Sequence, residues 1–165
     1  MQLKFFIPLL IVLNLSVTPV PANSPRQTGS DDIINAYVLA YEAMYTGDNE
    51  KRRDYIILDL ESVYFTDTTY EQRQQAIEYF KKFNKPVLSA SLFKLQEIGL
   101  ADKRGEINKI SADLLMITCA QPYTDGMIIE GYKWTGPIAA YQYKIYLKFI
   151  DNKWKIEKVD LLGIS

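Results

Sequence analysis

The chain contains no histidine and a single cysteine, Cys119, among 165 residues. Without histidine, Ser-His-Asp and Cys-His nucleophilic devices are excluded, as are zinc sites built on His clusters. One cysteine excludes an internal disulfide and any multi-cysteine metal centre. The eight glycines are scattered rather than gathered into a phosphate-binding loop, and no nucleophile elbow or calcium-loop pattern occurs. An excess of one charge is lacking too: 19 Lys and Arg stand against 20 Asp and Glu. That balance argues against a nucleic-acid partner. No cofactor and no metal site are expected from this inventory.

What is present begins with a leader. Lys4 precedes an apolar stretch from Phe5 that runs on to Val17, and Val20-Pro21-Ala22 offers small residues before a cleavage point. This is the layout of a secretory signal peptide over 1–22. The apolar stretch carries Pro8 and Asn14 and is shorter than the about 20 residues a spanning helix needs. The expectation is therefore a secreted or periplasmic protein with no stable membrane insertion after cleavage. Removing the leader takes Lys4 away and leaves 18 basic against 20 acidic residues. Residues 23–29 (NSPRQTG) bury nothing and read as a disordered leader. Residues 30–165 fit one domain, which must hold together by packing alone.

Within that domain the pattern changes from helical to two-fold period along the chain. Ser30 as cap, then Ile33, Tyr37, Tyr41 and Tyr45 at steps of four, predict a helix to about Thr46, closed by Gly47. The run Tyr55–Leu60 (YIILDL) predicts a strand covered on both faces. Thr68 and Glu71 stand at capping-box spacing ahead of a helix to about Phe83, which Asn84-Lys85-Pro86 ends. A short strand at Val87–Ala90 completes a crossover unit. Ser91 caps a brief helix through Ile98, with Gly99-Leu100 as a Schellman ending. Strands follow at 113–121, 127–134 and 139–150.

The last hairpin is readable residue by residue. With Asp151-Asn152 as a two-residue loop, Phe149 faces Trp154 and Leu147 faces Ile156. The phase then slips, and one extra residue near Glu157–Lys158 repairs it. A β-bulge is predicted there, after which Val159 meets Ile145 and Leu161 meets Tyr143. The fold class is α+β: helices packed on one face of a mixed sheet that ends in a four-stranded antiparallel meander.

Candidate chemistry is sparse. Asp59, within an apolar run, could act as a base if burial raised its pKa, although a strand-end cap is the simpler role. Asp113 and Glu130 could approach a hard cation but lack an oxygen-rich loop. Cys119 shares strand phase with Leu115 and Ile117, which predicts a buried small hydrophobe rather than an activated thiolate. The tyrosines are the strongest signal, 12 in all. Tyr132, Lys133 and Trp134, just before the Gly136-Pro137 break, together with Tyr123, are the candidate ligand- or partner-binding residues.

From Tyr55 onward the chain resembles small secreted bacterial domains of uncharacterised function. The resemblance rests on YIILDL, KKFNKPVLSASL, LQEIGL, IIEGYKWTGPIAAYQYKIYLKF and the closing DNKWKIEKVDLLGIS. It implies no catalytic residue. A weaker similarity joins the chain to cone-shaped α+β domains of the nuclear transport factor and ketosteroid isomerase type, which also place helices first and a curved sheet last. That similarity implies a small-molecule or enzymatic pocket; the family's Asp base with its paired donors has no match in this chain, and Asp59 with a Tyr is the candidate base that the residues themselves offer for this alternative. The leading expectation is a non-enzymatic domain that binds a protein or small ligand; a periplasmic inhibitor or immunity protein is a further alternative.

Overall fold

A computed structural model describes residues 30–48 and 52–165 of the chain. The expected signal peptide over 1–22, the leader expected over 23–29 and residues 49–51 lie outside the described residues. So do the side chains expected to cap the first helix.

The first helix, α1 (Ser30–Thr46), carries the apolar stripe expected of it. Tyr37, Tyr41 and Tyr45 are buried, as are Ile34, Val38, Met44 and three alanines between them. Each fully buried large side chain contributes about 1.5–3 kcal/mol, so α1 is the centre of the main core. Its rings interlock with those that follow in the chain. Tyr41 stacks on Phe65 at 6.0 Å, and Tyr45 meets Phe83 edge-on at 4.7 Å. The Tyr41 hydroxyl, buried, donates to the main-chain oxygen of Asp59 at 2.6 Å.

Strand β1 (Tyr55–Leu58) lies between β2 (Val87–Ser89) and β3 (Ala112–Tyr123) and runs parallel to both. Ile56 and Leu58 face the α1 core, while Ile57 faces a second core. The strand is covered on both sides, as its unbroken apolar run requires. Helix α2 (Tyr70–Phe80), extended by a 3-10 turn to Phe83, joins β1 to β2. Asn84 ends it in the left-handed region at φ 55°.

The capping box sits one residue later than expected. Thr69 accepts from the Gln72 N–H, and the Gln72 side chain accepts from the Thr69 N–H. Thr68 is already engaged: its hydroxyl donates to Phe65 O at 2.6 Å and accepts from Arg73 Nε.

Helix α3 (Leu92–Glu97) corrects the expectation that all helices share one face. Leu95 packs with Ile57, Ala112 and Leu114, on the side of the sheet away from α1. Topology explains this. The β1-α2-β2 step moves outward along the sheet, and β2-α3-β3 moves back across β1. Parallel crossovers keep one hand, so reversing direction puts the second helix on the opposite face. The Schellman ending after α3 is present: Leu100 N–H donates to Leu95 O at 2.8 Å and Gly99 N–H to Gln96 O at 3.1 Å. Gly47, by contrast, is not among the positive-φ glycines. It is required by close approach, because a Cβ there would lie 2.7 Å from both Ala43 O and the Tyr143 ring.

Strands β3, β4 (Gly126–Gly136), β5 (Ala139–Ile150) and β6 (Lys153–Ile164) form the antiparallel meander, giving the sheet order β2-β1-β3-β4-β5-β6. Asp151 and Asn152 both take positive φ at the hairpin tip. Phe149↔Trp154, Leu147↔Ile156, Ile145↔Val159 and Tyr143↔Leu161 pair in the expected register, and the shift falls between Tyr146 and Leu147, leaving Glu157 as the extra residue.

Gly99 has φ +76° and open space where a Cβ would go. Gly99→Ala therefore isolates the cost of the left-handed backbone, about 1–2 kcal/mol. Chemical denaturation should show that loss with an unchanged m-value.

Candidate functional site

Strand β4 sends successive side chains to opposite faces. Ile129, Gly131 and Lys133 turn toward α1, whereas Glu130, Tyr132 and Trp134 turn away. The three candidate residues 132–134 are thus split between two environments.

On the outer face, Tyr132 and Trp134 meet edge to face, with centroids 6.4 Å apart and planes at 88°. The Trp134 indole Nε1–H donates to Gly105 O at 2.8 Å, which locks the ring against the loop before β3. Gly105 takes φ +88° in that loop. Trp134 is half-buried beside the second core. The residues opposite are small or flexible: Tyr132 pairs with Gln142, Trp134 with Ala140, and Gln142 with Gly163. The missing side-chain bulk leaves a concavity of about 300 Å³ lined by Tyr132, Trp134, Ala140, Gln142, Gly163 and Ile164. Such a surface can stack a planar or apolar group and offer the Gln142 amide to a polar one.

Lys133 is on the inner face, only 3% exposed, and ion-paired with Asp48, itself 6% exposed. Asp48 Oδ2 also accepts from the Tyr143 hydroxyl at 2.9 Å, and Asp48 Oδ1 from Arg52 at 2.8 Å. The Lys133 ammonium lies 4.9 Å from the Tyr141 ring centroid, and the Arg52 guanidinium 5.1 Å from that of Tyr45. Burial, reinforced by the Asp48 carboxylate, pushes the Tyr143 hydroxyl far up, so it stays a donor. Asp113 is buried next to this group and accepts from the Arg53 N–H at 3.2 Å. Its carboxyl is held above the usual range by desolvation, against the lowering pull of that N–H and of Lys133. Lys133 and Arg52 thus both pair with Asp48, Asp113 lies beside them, and Lys133 is held away from the surface that Tyr132 and Trp134 share.

The other candidates fall apart from the concavity. Tyr123 is exposed at the far end of β3 and packs edge-on against Tyr146 at 6.0 Å. Nine positions along β3 separate it from Leu114, the partner of Trp134, roughly 30 Å of strand.

Cys119 is half-buried, not buried. A bulge between Ile117 and Cys119 inserts Thr118 and turns Cys119 to the outer face, opposite Glu130. Glu130 is paired with Lys144 at 2.8 Å on that face, so it and Asp113 lie on opposite sides of the sheet and cannot share a cation. Among the described residues no acidic, His or Cys group of three could hold a metal.

Asp59 lies just past the end of β1, buried, with its carboxyl raised chiefly by desolvation. Its Oδ1 accepts from the Glu61 N–H at 3.2 Å, the strand-end capping role. Tyr41, the nearby phenol, donates to the Asp59 main chain rather than to its carboxylate.

A second concavity, of about 230 Å³, opens between α1, α2 and the β5–β6 tip, lined by Val38, Leu39, Tyr79, Phe149 and Trp154. The Trp154 indole nitrogen is buried there without a hydrogen-bond partner.

Inward strand phase was the signal that could have placed Lys133: it follows Ile129 and Gly131 at steps of two. A lysine there needs a carboxylate, and Asp48 just past α1 supplies it. Compared with known proteins, the chain matches no family model, no curated protein and no solved structure.

The raised carboxyl of Asp59 has a definite sign. A group whose folded pKa exceeds its unfolded value, about 3.9 for aspartate, stabilises the fold most when protonated, and that contribution is lost as pH rises through the folded pKa. Asp59→Asn keeps an acceptor for the Glu61 N–H and removes the buried charge. Denaturation midpoints should favour the variant at pH 7, with the difference shrinking on acidification. An advantage independent of pH would contradict the assignment.

Proposed function

We propose that the protein is an exported, non-enzymatic binding domain whose recognition surface is the outer-face concavity at Tyr132 and Trp134. The carrying observation is the preset aromatic pair. Trp134 is fixed by its bond to Gly105 O, Tyr132 stands edge-on to it, and Ala140 and Gly163 leave the adjoining space open. A rigid aromatic edge beside open space lets a ligand bury apolar area without the cost of ordering the site. The leader over 1–22 supports export, and the similarity to small secreted bacterial domains points the same way. The balanced charge supports a protein or small-ligand partner over nucleic acid.

Covalent or acid–base chemistry has less support. Asp59 caps the end of β1, and the Asp48 carboxylate is occupied by Lys133, Arg52 and Tyr143. Lys133 belongs to the support of this surface rather than to its contact set. Tyr123 stands outside the proposed site.

Affinity capture from the native secreted fraction tests the reading. Trp134→Ala should weaken partner recovery by about thirtyfold, the effect of losing an aromatic hot spot of about 2 kcal/mol. Gln142→Arg, which fills the concavity from a half-exposed position, should do the same with an unchanged fold. Recovery equal to wild type in both variants would remove the concavity as the site.

A further inference from the structure

The core of the meander thins toward the edge of the sheet: on β6 Trp154 packs against the α1 core, and the rest of the apolar row is only half covered. Tyr143, Ile145 and Leu147 on β5 are almost wholly buried. Their cross-strand partners on the same face of β6 are Leu161, Val159 and Ile156, and these are 47%, 38% and 40% exposed. Ile164, opposite Tyr141, is 64% exposed. β6 is also an edge strand of twelve residues. Ala140 and Ser165 exchange both main-chain bonds. Alternation along β5 then points the N–H and C=O groups of Val159, Leu161 and Ile164 away from the sheet. An open ladder edge and a half-covered apolar row thus coincide on one strand, and such edges pair with another chain unless they are blocked.

The charges of β6 suit a second copy of the same strand. An antiparallel mate centred on Val159 sets Val159 opposite Val159 of the other copy. It sets Lys158 opposite Asp160 and Asp160 opposite Lys158. In the single chain these two side chains bridge each other at 2.7 Å on the outer face, where Lys158 also lies 5.4 Å from the Tyr146 ring centroid. The register shifts do not obstruct the pairing. One lies on each side of Val159, at Glu157 and at Leu162, so each arm of the symmetric pair carries one extra residue and the arms match. Trp154 then falls opposite Ile164, and Lys155 opposite Gly163. The three lysines of β6 therefore meet no cation: Lys158 falls opposite Asp160, Lys155 opposite Gly163 and Lys153 opposite Ser165.

We infer that β6 is a homodimer interface: two copies join their β6 edges antiparallel about Val159 and continue the sheet from one subunit into the next. The interface is isologous, as two-fold pairing demands. It also places Lys155 of the second copy beside Gly163, at the rim of the Tyr132–Trp134 concavity.

Sedimentation equilibrium of the purified protein tests this. The wild type should show a concentration-dependent rise to twice the chain mass. Lys158→Asp crowds four acids around the two-fold axis and should weaken association at least tenfold. Lys158→Asp with Asp160→Lys restores the complementary pattern and should restore the dimer. Both side chains are on the exposed outer face, and circular dichroism should show that each variant folds. A single-chain mass for wild type at all concentrations would overturn the inference. So would a dimer unaffected by Lys158→Asp, or a charge swap that fails to rescue it. None of these results bears on partner capture by Trp134, so failure of the dimer and failure of the proposed binding site are distinguishable.

Discussion

The buried pairing of Lys133 with Asp48 is the constraint on which the rest of the structure depends. β4 is one of the central strands of the sheet, and its side chains alternate between two faces. A slip of one residue would drive Lys133 into the outer surface and Tyr132 and Trp134 into the α1 core. A lysine 3% exposed beside a carboxylate 6% exposed makes that slip costly, because breaking one buried pair leaves a charge unmatched, at about 3–5 kcal/mol. Asp48 is placed for this role by Gly47, where the end of α1 closes on the Tyr143 ring with no room for a Cβ. The ion pair therefore couples the end of the first helix to the register of the strand that presents the aromatic pair.

Two kinds of surface follow from that frame. On the outer face, small residues at 140 and 163 leave the Tyr132–Trp134 edge beside open space. On the inner face, α1 reaches β6 and packs on Trp154, but among the described residues the rest of the apolar row of β6 is only half covered. The first surface fits a ligand or a partner of different sequence. The second fits a copy of itself, because its charges are complementary only when the strand is reversed. A chain with no disulfide available has reason to gain stability from such an association, since folding and dimerisation then reinforce one another.

Much of the fold was legible in the sequence where local chemistry and periodicity agree. α1 showed itself in tyrosines at steps of four, and the β5–β6 hairpin in Asp151-Asn152 and a single phase slip. The illegible parts have physical reasons. The face taken by α3 is set by the direction of a crossover, which no local pattern records. The β3 bulge passes silently because Thr118, Cys119 and Ala120 are all small, so the phase change that exposes Cys119 leaves no mark in the hydrophobic pattern. The capping residue moved from Thr68 to Thr69 because Thr68 was committed to the preceding turn. Lys133 was grouped with its neighbours by adjacency, although strand phase separates it from both, and its partner Asp48 lies far away in the chain.

The most direct measurement of the central claim is a double-mutant cycle on folding stability with Asp48→Asn and Lys133→Met. If the pair anchors β4 against α1, Asp48→Asn leaves the buried Lys133 ammonium unmatched, and Lys133→Met takes from Asp48 its partner on β4 while Arg52 remains. The double variant should then be more stable than the sum of the singles by about 1–3 kcal/mol. Costs that add to within about 0.5 kcal/mol would show that the two groups act independently, and would contradict the view that this ion pair sets the register of the strand.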